Sequence, residues 1–172
     1  MSSPTPNVFT RRYRAFLFDM DGTLLNSIAA AERVWGIWAA RHGLDVEAFL
    51  HTIHGARAID TITHQAKAGV DPQIEAQWIT EAELDDVEGI VAIPGAVAFL
   101  ASLPVDQWAL VTSAPKALAV RRLQAAGIPV PAVLVTAEDV KTGKPDPACY
   151  VLGAWRLVVS MQDCLVFEDA TV

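Results

Sequence analysis

The chain has 172 residues, 52% of them hydrophobic, enough for a packed core and a second small lobe. A formal net charge of −7 without clustered Lys and Arg excludes a nucleic-acid surface, because phosphate backbones are bound by such clusters. No segment has the length and apolarity of a membrane span or a signal-peptide core, so the chain reads as soluble and cytoplasmic, with no membrane partner.

In chain order, residues 1–10 are polar and Pro-interrupted and read as a loose tail. The run Ala15-Phe16-Leu17-Phe18 is apolar on both faces, which suits a strand inside a covered parallel sheet. Asp19 and Asp21 follow at its carboxyl end, the rim where open α/β sheets bind ligands. Ser27 is a candidate N-cap for a helix through IAAAERVWGIWAAR that stops at Gly43. Two further helical pieces end at Gly55 and Gly69, and another opens with Asp71 as cap and Pro72 at the first helical position. The span from 27 to 90 therefore reads as helical, with no strand pattern.

From Ile90 the rhythm changes. A short helix in AIPGAVAFLASLP precedes the apolar run QWALVT, which ends at Thr112 and Ser113. A helix closed by Gly127, a strand AVLVT, a helix in DPACYVLGAWRLVV and a last strand CLVFED complete the pattern. Strands alternating with helices indicate βαβ units and a parallel, Rossmann-like sheet with flanking helices. The expected division is an α/β core of residues 1–26 and 91–172, with an all-helical lobe of residues 27–90 inserted after the first strand and carried on two mobile linkers, near 22–27 and 88–94. Cys149 and Cys164 have no metal spacing and read as buried, inert thiols rather than a disulfide.

In a parallel sheet the strands' carboxyl ends share one edge, which brings Asp19, Asp21, Thr112, Ser113, Lys144, Glu168 and Asp169 together. Carboxylates so grouped repel one another unless a cation lies between them, and hard oxygen ligands select Mg²⁺. A lysine, hydroxyls and turn amides beside them supply the charge neutralisation a phosphoryl group requires. Asp19 and Asp21, two apart on an extended chain, face one side and can take different roles, one attacking and the other moving protons.

FDMDGTL, VTSA, KTGKPDP and FED are similar, in order, to the four motifs of the haloacid dehalogenase superfamily, in its sugar phosphatase and β-phosphoglucomutase-like branch with a helical cap. The resemblance runs from about residue 13 to residue 172. It implies a phosphatase of small sugar or polyol phosphates with Asp19 as nucleophile, forming an aspartyl phosphate, and Asp21 as general acid/base. It further implies Thr112, with Ser113, as phosphoryl ligands and Lys144 as the charge-stabilising lysine. Mg²⁺ would be held by Asp19, Asp169, the main-chain carbonyl of Asp21 and, as support, Glu168. The superfamily's carbon–halogen and phosphonate branches lack an aspartate at the position of Asp21, so phosphate esters are favoured. A phosphomutase keeps the same core residues and stays open as an alternative. So does an inactive fragment or phospho-accepting module, because relatives continue past the last aspartate and a truncated core is expected, with the CLVFE edge bare.

In the lobe, the loop His54-Gly55-Ala56-Arg57-Ala58 is expected to face the site, with His54 and Arg57 touching substrate. Trp35, Trp38 and Trp78 read as lobe core rather than a sugar platform, and Arg121-Arg122 as the solvated face of a helix. A monomer is the expected form.

Overall fold

The computed structural model describes residues 11–65 and 69–170, so the tail expected at residues 1–10 lies outside the described residues. Its elements are β1 (Ala15–Phe18), β2 (Leu25–Asn26), α1 (Ile28–Arg41), α2 (Val46–Leu50), α3 (Ala58–Gln65) and α4 (Pro72–Asp85), then β3 (Val91–Ala92), α5 (Ala96–Ser102), β4 (Trp108–Val111), α6 (Lys116–Ala125), β5 (Val133–Val135), α7 (Ala148–Arg156) and β6 (Cys164–Phe167). Each apolar run of the sequence becomes a strand of one four-stranded sheet in the order β5-β4-β1-β6. All its pairs are parallel, with Leu17 opposite Ala109 on one side and Val166 on the other.

Alternation along the strands divides the core between two faces. Phe18 and Leu110 pack with Leu100 of α5 and Leu118 and Leu123 of α6. Leu17, Ala109 and Val111 pack on the opposite face with Cys149 and Ala154 of α7. Close approach of α7 depends on Gly153, where a Cβ would stand 3.1 Å from Val111 Cγ2. β4, inside the sheet, is buried throughout, whereas the four residues of the edge strand β6 are half-buried. Cys149 is accordingly buried, but Cys164 at that edge is half-exposed; both are free thiols, so the expectation of two buried ones holds for Cys149 alone.

From α1 to α4 the described chain is helical and has its own core, built on Trp35, Trp38, Phe49, Ile62 and Ile79. The Asp71 side chain accepts from the amides of Gln73 and Ile74 and starts α4, with Pro72 in its first turn. Ser27 stands at the N-cap position of α1 but makes no side-chain cap bond; Asn26 Oδ1 takes the Ile28 amide at 3.1 Å instead. The linkers expected to be mobile are paired with each other. β2 and β3 form an antiparallel ribbon, Leu25 opposite Ala92, extended by the Ile93 amide donating to Leu24 O at 2.9 Å. Arg33 fastens the return crossing by donating to Asp86 Oδ1 at 2.6 Å and to Glu88 O at 2.8 Å. Among the described residues no helix is long and apolar enough to cross a membrane.

Candidate active site

The parallel ladder carries its last rung to the site. The Asp19 amide donates to Phe167 O and the Thr112 amide to Val135 O, both at 2.9 Å, so Asp19 and Thr112 sit side by side with Glu168 and Asp169 next to Phe167. The chain then turns at Gly22, whose φ of +83° suits glycine and whose missing Cβ would fall 2.0 Å from Asp169 Oδ2. Lys144, between β5 and α7, places its ammonium 2.5 Å from Asp19 Oδ1 and 2.7 Å from Glu168 Oε2. The Tyr150 hydroxyl donates to that same Glu168 oxygen, and the lysine nitrogen lies 5.0 Å from the Tyr150 ring centroid.

Burial pushes the Asp19 carboxyl up to about 7; Lys144 opposes the rise, while Glu168 and Asp21 add to it. Burial works against the Lys144 charge, but Asp19 and Glu168 outweigh it and hold its pKa above the usual value. Burial, then the bond to Glu168, raises the Tyr150 phenol, which stays a donor.

Asp19, Glu168 and Asp169 each bring a carboxylate oxygen within 4.8 Å of the others. Glu168 Oε1 is buried with no hydrogen-bond partner, and a buried anionic oxygen without a partner is strongly unfavourable. Lys144 alone does not balance the cluster, and oxygen-only donors suit a hard divalent cation, so these residues fit one. No histidine joins them in a three-ligand group among the described residues.

A cavity of about 490 Å³ opens beside Asp19 between the sheet rim and the helical lobe, large enough for a small phosphorylated molecule. Asp19, Asp21, Thr112, Ser113 and Asp169 line it from the sheet side; Trp35, His51, His54, Thr80 and Glu83 line it from the lobe. Trp35 thus serves the lobe core and the cavity wall together.

The expected residues divide by what their side chains touch. Asp21 Oδ1 accepts from Ser27 Oγ at 2.5 Å and pairs with Arg122 Nη1 at 2.9 Å, so this carboxylate stands outside the cluster of three. Thr112 lines the cavity, and its hydroxyl oxygen accepts from the Ala114 amide at 3.1 Å. The Ser113 hydroxyl donates instead to Gly55 O at 2.8 Å, a tie between rim and lobe. His54 lines the cavity; Arg57 is not among its lining residues. The Arg57 guanidinium pairs with Asp60 at 2.6 Å and donates to Lys141 O at 3.0 Å, because the loop ahead of Lys144 lies against it.

Arg122 corrects the sequence expectation outright. It is buried, not solvated, and bridges Asp21 to Glu83 Oε1, the latter at 3.1 Å. Burial works against both charges of the pair. The neighbouring carboxylates still keep the Arg122 pKa high, while burial outweighs Arg122 in raising that of Glu83. Arg121, one residue earlier, does reach outward and caps Leu84 O. Sequence reasoning also passed over Glu83 and Tyr150.

A sequence profile of the haloacid dehalogenase-like hydrolases matches residues 13–172. The chain belongs to this family. This hydrolase is 46% identical over 163 residues to hexitol phosphatase A of Escherichia coli (strain K12), covering 92% of the chain and 76% of that protein. It is 34% identical over 178 residues to 2-deoxyglucose-6-phosphate phosphatase 2 of Saccharomyces cerevisiae, covering 91% of the chain and 72% of the relative. Among solved structures, β-phosphoglucomutase from Clostridium difficile superposes with a TM-score of 0.79 at 20% identity, over 92% of this chain and 77% of that one, a likeness of fold.

Proposed function

We propose that this hydrolase is a Mg²⁺-dependent phosphatase of small sugar or polyol phosphates, working through an aspartyl phosphate on Asp19. The observation that carries the reading is one cavity presenting two carboxylates in different surroundings: Asp19 buried against Lys144 at 2.5 Å, and Asp21 held by Ser27 and Arg122. That it is a phosphoric monoester hydrolase agrees with its family and with the names of both phosphatase relatives.

A carboxylate oxygen of Asp19 attacks phosphorus as the ester P–O bond breaks, and Asp21 gives its proton to the departing alkoxide. Asp21 then takes a proton from water as that water attacks the acyl phosphate, releasing inorganic phosphate and restoring Asp19. Lys144 offsets negative charge on Asp19 and the phosphoryl oxygens, and Thr112 supplies a hydroxyl at the rim. Asp19, Glu168 and Asp169, with the main-chain carbonyl of Asp21, would hold Mg²⁺, which when bound offsets the charge of the carboxylates and the phosphoryl group.

Two observations favour hydrolysis over the alternatives. A mutase must grip a second phosphate, yet the one arginine among the described cavity-lining residues is already balanced by Asp21 and Glu83. A phospho-accepting module has no use for an acid in the cavity, and Asp21 is there. The helical lobe's own apolar cluster supports residues 27–90 as a cap on a core of residues 1–26 and 91–172, and the two free thiols favour a cytoplasmic setting. Phosphate release from a panel of hexitol and hexose phosphates, with Mg²⁺ or EDTA, tests the reading. Turnover abolished by EDTA supports it, and silence on the whole panel with Mg²⁺ present refutes it.

A further inference from the structure

Arg122 lies on the apolar stripe of α6 with Leu118, Ala119 and Leu123, all buried. Taking a guanidinium out of water is strongly unfavourable, and an apolar side chain of similar size there is commonly as stable or more so. Its Nε is buried without a partner, so the site is not arranged for fullest satisfaction of the arginine. The fork instead divides between two acids, Nη1 on Asp21 at 2.9 Å and Nη2 on Glu83 at 3.1 Å. On Asp21 both side-chain contacts fall on the same atom, Oδ1, which also accepts from Ser27 Oγ at 2.5 Å. Arginine does not give up its proton in proteins.

Resting on the phosphatase reading, we propose that Arg122 is a positioning residue for Asp21: it holds Oδ1, so that the proton exchanged with the ester and with water rides on Oδ2, and Glu83 couples that hold to the cap. Oδ1 already faces two donors, which leaves Oδ2 as the oxygen of Asp21 without a side-chain partner among these contacts. Glu83 belongs to α4, the cap helix that packs on α6, so displacement of the cap pulls on the same guanidinium that aims the acid. The arrangement makes leaving-group protonation depend on a seated cap, which keeps the acid aligned when the cavity is closed to bulk water.

The test separates an aimed acid from a merely structural ion pair by leaving group. The double variant Arg122→Met/Glu83→Leu replaces the buried pair by apolar side chains and is checked for folding by its thermal melt. Steady-state kinetics with Mg²⁺ are read on a hexitol phosphate, whose alkoxide needs an acid, and on p-nitrophenyl phosphate, whose phenolate leaves with little help. General acid catalysis supplies about 10²–10⁴-fold, so a misaimed acid is expected to lower kcat on the hexitol ester by about 30-fold or more. The loss on the aryl ester should be roughly tenfold smaller, with KM little changed on either, and Arg122→Lys should fall between wild type and the double variant. Glu83→Gln alone should show the same bias at smaller size. Equal losses on both esters, or no loss, from a folded double variant would overturn the positioning role while leaving the phosphatase standing; wild type inactive on both would remove the phosphatase reading and this role with it.

Discussion

Burial pushes the Asp19 carboxyl up to about 7 even with Lys144 at 2.5 Å, so near neutral pH a proton and a cation compete for it. Metal binding needs the carboxylate, and the apparent Mg²⁺ affinity should weaken as pH falls below about 7, by up to about tenfold per pH unit. Titration calorimetry at pH 6 and pH 8 measures this; equal affinities would contradict the burial argument. The sign for stability is opposite. A carboxyl raised from 3.8 in the unfolded chain stabilises the metal-free fold below that value, and the contribution is lost as pH rises through about 7. Gly22 faces the same cluster from the other side: Gly22→Ala sets a methyl 2.0 Å from Asp169 Oδ2 at a φ of +83°. Displacing one carboxylate ligand should weaken Mg²⁺ by about tenfold or more, of the order seen when a ligand's supporting shell is removed. An unchanged calorimetric titration would show that Asp169 is not a ligand.

The strands were legible because each is a short apolar run bounded by turn residues, and a parallel sheet then fixes which ends meet; hence Asp19, Thr112, Lys144 and Asp169 could be located together from sequence. Helices α1 and α4 were legible from Gly43 and from Asp71-Pro72. The ribbon of β2 and β3 was not, since two-residue strands carry no periodicity. Arg122 left a signal that went unused: it falls at i+4 from Leu118 on an apolar stripe, as Glu83 does from Ile79. A charge on such a stripe marks a buried partner, but which partner depends on how the cap seats. The bonds from Ser113 and Arg57 end on main-chain carbonyls of distant segments, for which side-chain patterns hold no information. Within the cap, Trp38 is fully buried and donates from its indole to Glu75 Oε2 at 2.9 Å. Trp38→Ala should lower unfolding stability by about 3–5 kcal/mol in a denaturant titration, and a loss under about 1 kcal/mol would mean the cap core had been misread.

Across the whole molecule, polar ties join the cap to the core, among them Ser113 to Gly55 O, Arg57 to Lys141 O, Arg121 to Leu84 O and Arg122 to Glu83. Both crossings between the two parts run through the ribbon, which pairs the two linkers with each other. Arg57→Met removes a tie without touching the cavity wall and shifts the cap toward open. If the closed form binds ester, the apparent KM rises as its population falls, by about threefold to tenfold for a closed fraction reduced to that degree. Steady-state kinetics on a hexitol phosphate would show it, and an unchanged KM would mean the tie does not govern closure. The covalent step on Asp19 can be trapped directly. Wild type and Asp19→Asn are mixed with a ³²P-labelled hexitol phosphate and Mg²⁺ and quenched in acid within a single turnover. Label should be bound to wild-type protein, released by hydroxylamine and absent from Asp19→Asn. Phosphate formed without any protein-bound label, or label that persists on Asp19→Asn, would contradict it.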